Sequence, residues 1–269
     1  MVHAVRGPAL LFCPADRPER YEKAAARADC VILDLEDAVN PDAKASARPL
    51  LATVPLDPAR TIVRVNPAPD LDDDLRALAQ TPYRTLMLAK TSSADDVRAL
   101  AGYEVVALIE TAAGVVNVAL IAAEPNVVGL MWGAEDLVAS LGGTSSRAPS
   151  GAYRDVATHA RSAVLLAAGA FGKAAIDAVH LDIDDVDGLA AEAADAAACG
   201  FTATACIHPS QVEVIRAAYR PGAAEVERAR AVLAAAVGQH GAFRWEGQLV
   251  DGPVLKHAHE VLRRAGDPG

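Results

Sequence analysis

The chain has 269 residues, of which 52% are hydrophobic but only 4% are aromatic, and its formal net charge is −10. A large core built from aliphatic side chains is typical of α/β proteins. The negative charge argues against a nucleic-acid partner, because a surface that binds phosphates needs clustered lysine and arginine.

Short apolar runs rich in β-branched residues recur about every 20 residues, and segments of helical periodicity separate them. They predict strands at 9–14, 30–36, 61–67, 85–90, 105–111, 126–133, 177–183 and 202–208. Eight alternations of strand and helix at this spacing favour a (β/α)8 TIM barrel over an open sheet. The longer interval from 134 to 176 indicates an insertion before a helix.

The residues after the eighth strand predict two helices, a glycine-rich stretch and a final helix around 253–264. A barrel does not need this tail to close. We therefore assign residues 1–209 to a catalytic TIM barrel and residues 210–269 to a C-terminal helical extension. Such an extension either packs on its own barrel or contacts a neighbouring subunit, and we expect the second.

The N-terminus lacks a basic-then-apolar signal pattern, and no apolar run reaches the ~20 residues that span a bilayer. We therefore expect a soluble, cytoplasmic protein with no membrane partner.

Carboxylates follow several of the predicted strands. Glu36 and Asp37 lie at the end of the second strand, Glu110 lies at the end of the fifth, and Asp136 follows the sixth. All strands of a TIM barrel end on one face, where active sites of this fold lie. Crowded acids need a cation, and oxygen ligands favour Mg²⁺, with Mn²⁺ as second choice. Glu110 and Asp136 suit the role of ligands, although a helix cap is the structural alternative for each single acid.

Three basic side chains also come at strand ends. Arg64 lies in an otherwise apolar strand, so it is either paired with Glu36 or Asp37 or directed at a substrate oxygen, and we favour both roles together. Lys90 is as compatible with a solvent-facing position as with a functional one. His208 is a candidate ligand or base, but more often such a histidine is a structural hydrogen-bonder.

Six short motifs occur in order along nearly the whole chain. They are Arg17-Pro18-Glu19-Arg20, Ile32-Leu33-Asp34-Leu35-Glu36-Asp37-Ala38-Val39, Arg64-Val65-Asn66-Pro67, Leu108-Ile109-Glu110-Thr111, Gly133-Ala134-Glu135-Asp136-Leu137 and Ile207-His208-Pro209-Ser210-Gln211. Together they resemble the citrate lyase beta-subunit family of the HpcH/HpaI aldolase superfamily.

The resemblance implies a (β/α)8 barrel, as a homotrimer or a hexamer, that forms or cleaves a carbon–carbon bond between a 2-oxo acid and an acyl thioester. It implies that Glu110 and Asp136 are the Mg²⁺ ligands and that Arg64 contacts the reacting oxygen. Glu36 and Asp37 would orient Arg64 and water at the metal, and these three residues are the catalytic candidates of the barrel.

The resemblance also gives the tail a role. In the thioester-cleaving members of the family an aspartate near the C-terminus reaches the site of a neighbouring subunit, and Asp251 looks like that residue. We take Asp251 as a further catalytic candidate. Substrate binding is expected from Arg64, Glu110, Gly133, Ala134 and Glu135.

The sequence therefore predicts a Mg²⁺-dependent carbon–carbon lyase of aldol or Claisen type. Its substrate would be a 3-hydroxyacyl thioester resembling citryl-CoA or malyl-CoA, with oxaloacetate, pyruvate or glyoxylate as the 2-oxo acid. Two alternatives stay open, a thioester-independent 2-oxo acid aldolase and a non-catalytic beta subunit of a larger lyase complex. Ala15 and Ala203-Thr204 depart from the residues common in the family, so CoA and an acyl-carrier protein both stay open as carriers.

Overall fold

The computed structural model describes residues 5–266 of the chain. It contains two compact units, Met1–Ile215 and Arg216–Gly269. No helix within the described residues is both long enough and apolar enough to cross a membrane.

The first unit is built around a closed barrel of eight parallel strands, in which each strand pairs with the next and the eighth pairs with the first. This confirms the predicted (β/α)8 barrel. The strands are β1 (Ala9–Pro14), β2 (Cys30–Asp34), β3 (Thr61–Val65), β4 (Thr85–Leu88), β5 (Glu104–Ile109), β6 (Val127–Trp132), β7 (Ala174–Asp177) and β8 (Ala203–Cys206).

Alternate residues of the strands fill the barrel interior, as the two-residue period of a strand requires. In β5 the interior row runs through Val106 and Leu108, and in β3 it includes Ile62. Two residues further along these rows come Glu110 and Arg64. The same alternation that fills the core therefore delivers polar side chains to the mouth of the barrel.

Helices follow the strands in chain order. They are α1 (Tyr21–Arg27), α2 (Lys44–Ala47), α3 (Leu71–Leu78), α4 (Ala94–Arg98), α5 (Ala112–Ala122), α6 (Ala134–Ser140), α7 (Asp155–Phe171), α8 (Val186–Cys199) and α9 (Gln211–Tyr219). Short 3-10 helices occur at Pro18–Arg20, Pro41–Ala43, Arg48–Ala52 and Pro58–Arg60. The predicted insertion corresponds to α6 and the loop before α7.

The predicted position of the seventh strand is wrong. The sequence pattern favours 177–183, but β7 spans Ala174–Asp177 and the next residues form a loop. Leu181 and Ile183 in this loop are 55% and 41% exposed. Because Leu181 and Ile183 alternate with acidic residues, this loop has the sequence pattern of a strand. The strand itself begins with two alanines, which give a weak strand signal.

The second unit has its own small apolar core. It contains α10 (Ala223–Ala236), β9 (Phe243–Trp245), β10 (Gln248–Val250) and α11 (Gly252–Arg264). Its two strands form an antiparallel hairpin within the stretch predicted only as glycine-rich. The first unit ends at Ile215 inside α9, whereas the predicted extension begins at residue 210.

Candidate active site

Arg64 is held by the residue opposite it in the sheet. The register pairs Arg64 of β3 with Asp34 of β2. Nε and Nη2 of Arg64 donate to the two carboxylate oxygens of Asp34 at 2.7 and 2.6 Å, and Nη1 lies 3.2 Å from Oε2 of Glu36. The predicted pairing with Glu36 is therefore present, but the main partner is Asp34 and not Asp37. The guanidinium also lies over the Phe12 ring, 4.8 Å from its centroid.

Lys90 joins the acidic groups from several strands. Its φ of 53° is left-handed, which is uncommon for a residue other than glycine. The backbone N–H donates to Oε1 of Glu110 at 2.9 Å, and the side-chain ammonium binds Glu36. The same Nζ lies 3.5 Å from Oδ2 of Asp37 and 3.6 Å from Oδ1 of Asp136. The sequence leaves open whether Lys90 faces solvent or occupies a functional position. In the structure its ammonium group lies among the carboxylates of Glu36, Asp37 and Asp136.

Glu110 and Asp136 line one cavity of about 380 Å³ at the mouth of the barrel, which we call the acidic cavity. Glu110 is only 3% exposed, and Gly133 packs directly against it. The acidic cavity is also lined by five other predicted site residues, Asp37, Arg64, Gly133, Ala134 and Glu135. The structure therefore brings together all the predicted residues of the barrel, with Glu36 buried beneath them against Arg64 and Lys90.

Burial and the crowding of acids control ionisation in the acidic cavity. Burial, and then the charge of Asp136, raises the pKa of Glu110 to about 8. Burial likewise raises the pKa of Glu36, although Arg64 opposes it. Burial also acts upward on the pKa of Asp37, but Lys90, the hydrogen bond with Glu36 and the charge of Arg64 together outweigh it, so the pKa lies below its usual value. A buried acid that resists ionisation in the protein alone is a natural place for a bound cation.

The donor set fits a hard divalent cation. Within the described residues, Oε2 of Glu110 accepts no hydrogen bond, and Asp136 has only the distant Lys90 ammonium beside it. Across residues 5–266 there is no group of three or more His, Cys, Asp or Glu side chains that could hold a metal by itself. Mg²⁺ usually takes one or two protein carboxylates and completes its octahedron with water and substrate. Two carboxylates are therefore enough for magnesium, but too few for a structural zinc site.

Gly133→Ala is expected to weaken this pair of carboxylates. The added Cβ would lie 2.7 Å from Oε2 and 2.9 Å from Cβ of Glu110, so the acid must move. We expect affinity for Mg²⁺, measured by calorimetry, to fall by about 10-fold or more. Gly169→Ala in α7 is the matched control, because a Cβ there meets no atom within 4 Å. Equal affinity in both variants would show that Glu110 is not a ligand.

A second opening adjoins the acidic cavity. This groove of about 880 Å³ is lined by residues around β1, α1 and the end of β8, and it shares Phe12, Pro14 and Ile207 with the acidic cavity. We call it the basic groove, because its wall carries exposed cations that have no carboxylate within 4 Å among the described residues. These cations are Arg20, Lys23 and Arg27.

Two other predicted candidates have local structural contacts. His208 lines the basic groove, and its Nδ1 lies 2.7 Å from Oγ of Ser210. Asp251 belongs to the second unit, where it caps α11 and its Oδ1 accepts a hydrogen bond from the Val254 N–H at 3.3 Å. Within the described residues, Oδ2 of Asp251 has no hydrogen-bond partner.

The loop between α6 and α7 supplies two residues of the acidic cavity that the sequence pattern does not single out, Arg147 and Tyr153. The Tyr153 ring meets Trp132 edge-on, with centroids 5.2 Å apart. Oγ of Ser146 donates to Oε1 of Glu135 at 2.5 Å, which ties the loop to the start of α6. The available signal was the insertion itself, since an arginine and an aromatic residue in a loop after an acid-bearing strand are functional candidates.

The mouth of this (β/α)8 barrel combines buried carboxylates, an arginine held by two hydrogen bonds to one carboxylate, and an adjoining basic groove. This combination is typical of a TIM-barrel enzyme that binds a metal ion through oxygen ligands. Comparison with known proteins identifies the family. The profile of the family "HpcH/HpaI aldolase/citrate lyase" matches residues 9–209. The chain belongs to this family, as its motifs predict.

Individual relatives span nearly the whole chain. A citrate lyase subunit beta-like protein of Mycobacterium tuberculosis is 60% identical over 97% of this chain and 96% of its own length. A (3S)-malyl-CoA thioesterase of Cereibacter sphaeroides is 36% identical over 95% of this chain and 91% of its own length. The human mitochondrial citramalyl-CoA lyase is 30% identical over 96% of this chain and 85% of its own length.

A solved relative has the same fold throughout. The crystal structure of CitE from Mycobacterium tuberculosis, in complex with magnesium, acetoacetate and coenzyme A, superposes with a TM-score of 0.95 at 59% identity. The match covers 98% of this chain and 100% of that chain.

Proposed function

We propose that this protein is a Mg²⁺-dependent carbon–carbon lyase that cleaves or forms a 3-hydroxyacyl thioester from a 2-oxo acid and an acyl-CoA. The observation that carries the proposal is the junction of the acidic cavity with the basic groove. The acidic cavity suits a 2-oxo acid held with a divalent cation. The basic groove offers unpaired cations for the phosphates of CoA, which a free 2-oxo acid would not need. The relatives that act on or bind CoA compounds support this assignment.

Glu110 and Asp136 would hold Mg²⁺, or Mn²⁺ as second choice. When bound, such a cation acts as a Lewis acid on the carbonyl of the 2-oxo acid. Gly133, Ala134 and Glu135 line the acidic cavity beside these ligands and would contact the substrate. Gly133 keeps the wall close to Glu110, because a larger residue would displace the carboxylate.

Arg64 would stabilise the negative charge on the reacting oxygen. Its contacts to Asp34 and Glu36 leave further guanidinium N–H groups for the substrate. Because both acids fix the plane of the guanidinium, these donors are preorganised. Glu36 also positions Lys90, and Asp37, whose side chain is exposed, would orient water at the mouth of the cavity.

In the cleavage direction a base removes the proton of the 3-hydroxyl group, the carbon–carbon bond breaks, and the thioester enolate is protonated. We assign the acid/base step to Asp251 of a neighbouring copy, since its Oδ2 has no partner within the described part of its own chain. The assignment requires an oligomer, and we expect a homotrimer or hexamer in the cytoplasm. Light scattering on the purified protein would measure the subunit number.

Asp251→Asn and Glu110→Gln are each expected to be nearly inactive alone, yet a co-refolded mixture should regain activity. In a mixed oligomer, an intact Asp251 of one copy meets an intact Glu110 of another. The measurement is turnover of the mixture, with hetero-oligomers verified by mass spectrometry. Asp251→Ser is the control for the helix cap, because serine also caps helices but cannot transfer the proton. If hetero-oligomers form without rescue, Asp251 acts only as a cap.

The test of the proposed function is a panel of 3-hydroxyacyl-CoA compounds incubated with the purified protein and Mg²⁺. We expect release of a 2-oxo acid that stops on chelation and does not occur with the corresponding free hydroxy acids. Turnover of the free acids would favour a thioester-independent aldolase. No turnover of the isolated chain with either CoA or acyl-carrier thioesters would favour a non-catalytic subunit.

A further inference from the structure

The acidic cavity contains a second arginine that the proposed chemistry does not use. Arg147 lines it from the loop between α6 and α7. Nη1 of Arg147 donates to the Gly151 carbonyl at 2.8 Å and to Oε1 of Glu192 at 2.6 Å. Nε and Nη2 have no hydrogen-bond partner among residues 5–266. One edge of the guanidinium is therefore available to a ligand.

The surroundings of Arg147 hold it in place before any ligand arrives. Its guanidinium lies over the Tyr153 ring, 3.8 Å from the centroid, and Tyr153 packs on Trp132 at the end of β6. Trp132 is in turn fixed by the bond from its Nε1 to Oδ1 of Asp177 at 2.5 Å. A cation ordered in this way loses little entropy when it binds an anion.

The charges of the acidic cavity point to an anionic ligand for Arg147. Arg64, the other arginine in the lining, is already matched by Asp34 and Glu36. Arg147 has one carboxylate partner, Glu192, and that acid is shared with Nδ1 of His180 at 2.9 Å. Of the two arginines that line the acidic cavity, Arg147 is therefore the one with fewer direct carboxylate contacts.

We propose that Arg147 is a specificity-determining residue that binds a second carboxylate on the 2-oxo acid. This inference rests on the proposed function. The carboxylate and oxo group next to the reacting carbon would occupy the Glu110 and Asp136 end of the cavity, so a further carboxylate needs a separate partner. Arg147 supplies it and selects a dicarboxylic 2-oxo acid, such as oxaloacetate, over a monocarboxylic one, such as pyruvate.

The experiment compares oxaloacetate with pyruvate in wild type, Arg147→Gln, Arg147→Lys and Glu192→Gln. Dissociation constants of both acids are measured by calorimetry with Mg²⁺, and kcat/KM is measured for condensation with acetyl-CoA. In Arg147→Gln, we expect the affinity and the kcat/KM for oxaloacetate to fall by about 10- to 100-fold. The same values for pyruvate should change by no more than about threefold. Arg147→Lys should retain part of the preference. Glu192→Gln removes the negative charge of the ion pair with α8 but keeps the Arg147 cation, so the preference for oxaloacetate should be fully retained.

Three results would overturn the proposal. The first is an equal loss of affinity for oxaloacetate and pyruvate in Arg147→Gln. The second is a loss of oxaloacetate affinity in Glu192→Gln as large as that in Arg147→Gln. The third is equal affinity of the wild type for both acids. The first two would make Arg147 a structural link between the loop and α8. Absence of any carbon–carbon bond chemistry would instead overturn the proposed function, and the calorimetric comparison would still decide the role of Arg147.

Discussion

Glu110→Gln and Asp136→Asn are each expected to abolish tight Mg²⁺ binding and to lower turnover by about 10³-fold or more. Each substitution removes one of two carboxylates that we assign to the cation, and residues 5–266 contain no alternative group of three ligands. Calorimetry gives the Mg²⁺ affinity, and release of the 2-oxo acid gives the turnover. Asp42→Asn, which changes an exposed acid in the short 3-10 helix Pro41–Ala43, is the control and should alter neither value.

The stability of the metal-free protein gives an independent reading of Glu110. Its pKa of about 8 lies above the usual 4.5, so ionising it in the folded state is unfavourable. This destabilisation begins as pH rises above 4.5 and is complete above about 8. We therefore expect Glu110→Gln without Mg²⁺ to melt at a higher temperature than wild type near pH 8, with a smaller difference at lower pH. Wild type melting higher at pH 8 would contradict the crowding of Glu110.

Arg64→Lys is expected to lower kcat by about 10²-fold or more with a smaller change in KM. Lysine keeps the positive charge but loses the planar fork that binds both oxygens of Asp34 and still presents donors to the substrate. The chain should stay folded, because the buried Asp34 and Glu36 keep a cation beside them. The control is Arg76→Lys in α3, where the arginine is exposed and pairs with Asp73.

Two outcomes would contradict the role given to Arg64. Near-normal kcat in Arg64→Lys would mean that its charge alone is needed, and unfolding of the variant would make its role structural. Circular dichroism separates the second outcome from a loss of catalysis.

The sequence predicted the barrel because apolar strand-like runs alternate eight times with helical segments at a spacing of about 20 residues. It predicted Arg64 and Glu110 because charged side chains at the ends of apolar strands meet at one face of such a barrel. Asp34 was not predicted as a site residue, although it lies two residues beyond Ile32 in the interior row of β2, opposite Arg64. The two-residue period of the strand is the sequence signal for its position.

Other features depended on contacts that a linear pattern does not contain. Arg147 lines the acidic cavity, and its guanidinium is held by Tyr153 and Glu192, which are distant partners or loop neighbours that a linear pattern does not reveal. The hairpin of the second unit was missed because its strands are short. The sequence signal for this hairpin is Gly247, which lies in the two-residue turn between Trp245 and Gln248 and has a left-handed φ of 80°.

We propose that this chain breaks a carbon–carbon bond and not the thioester bond. The two reactions must be distinguished by experiment, because the chain is similar both to a lyase and to a thioesterase. The direct measurement is the product balance when the purified protein, with Mg²⁺, consumes a 3-hydroxyacyl-CoA such as citryl-CoA or malyl-CoA. We predict equal amounts of 2-oxo acid and shortened acyl-CoA, with no free thiol and no activity in Glu110→Gln. Free CoA together with the intact 3-hydroxy acid, without 2-oxo acid, would contradict the account.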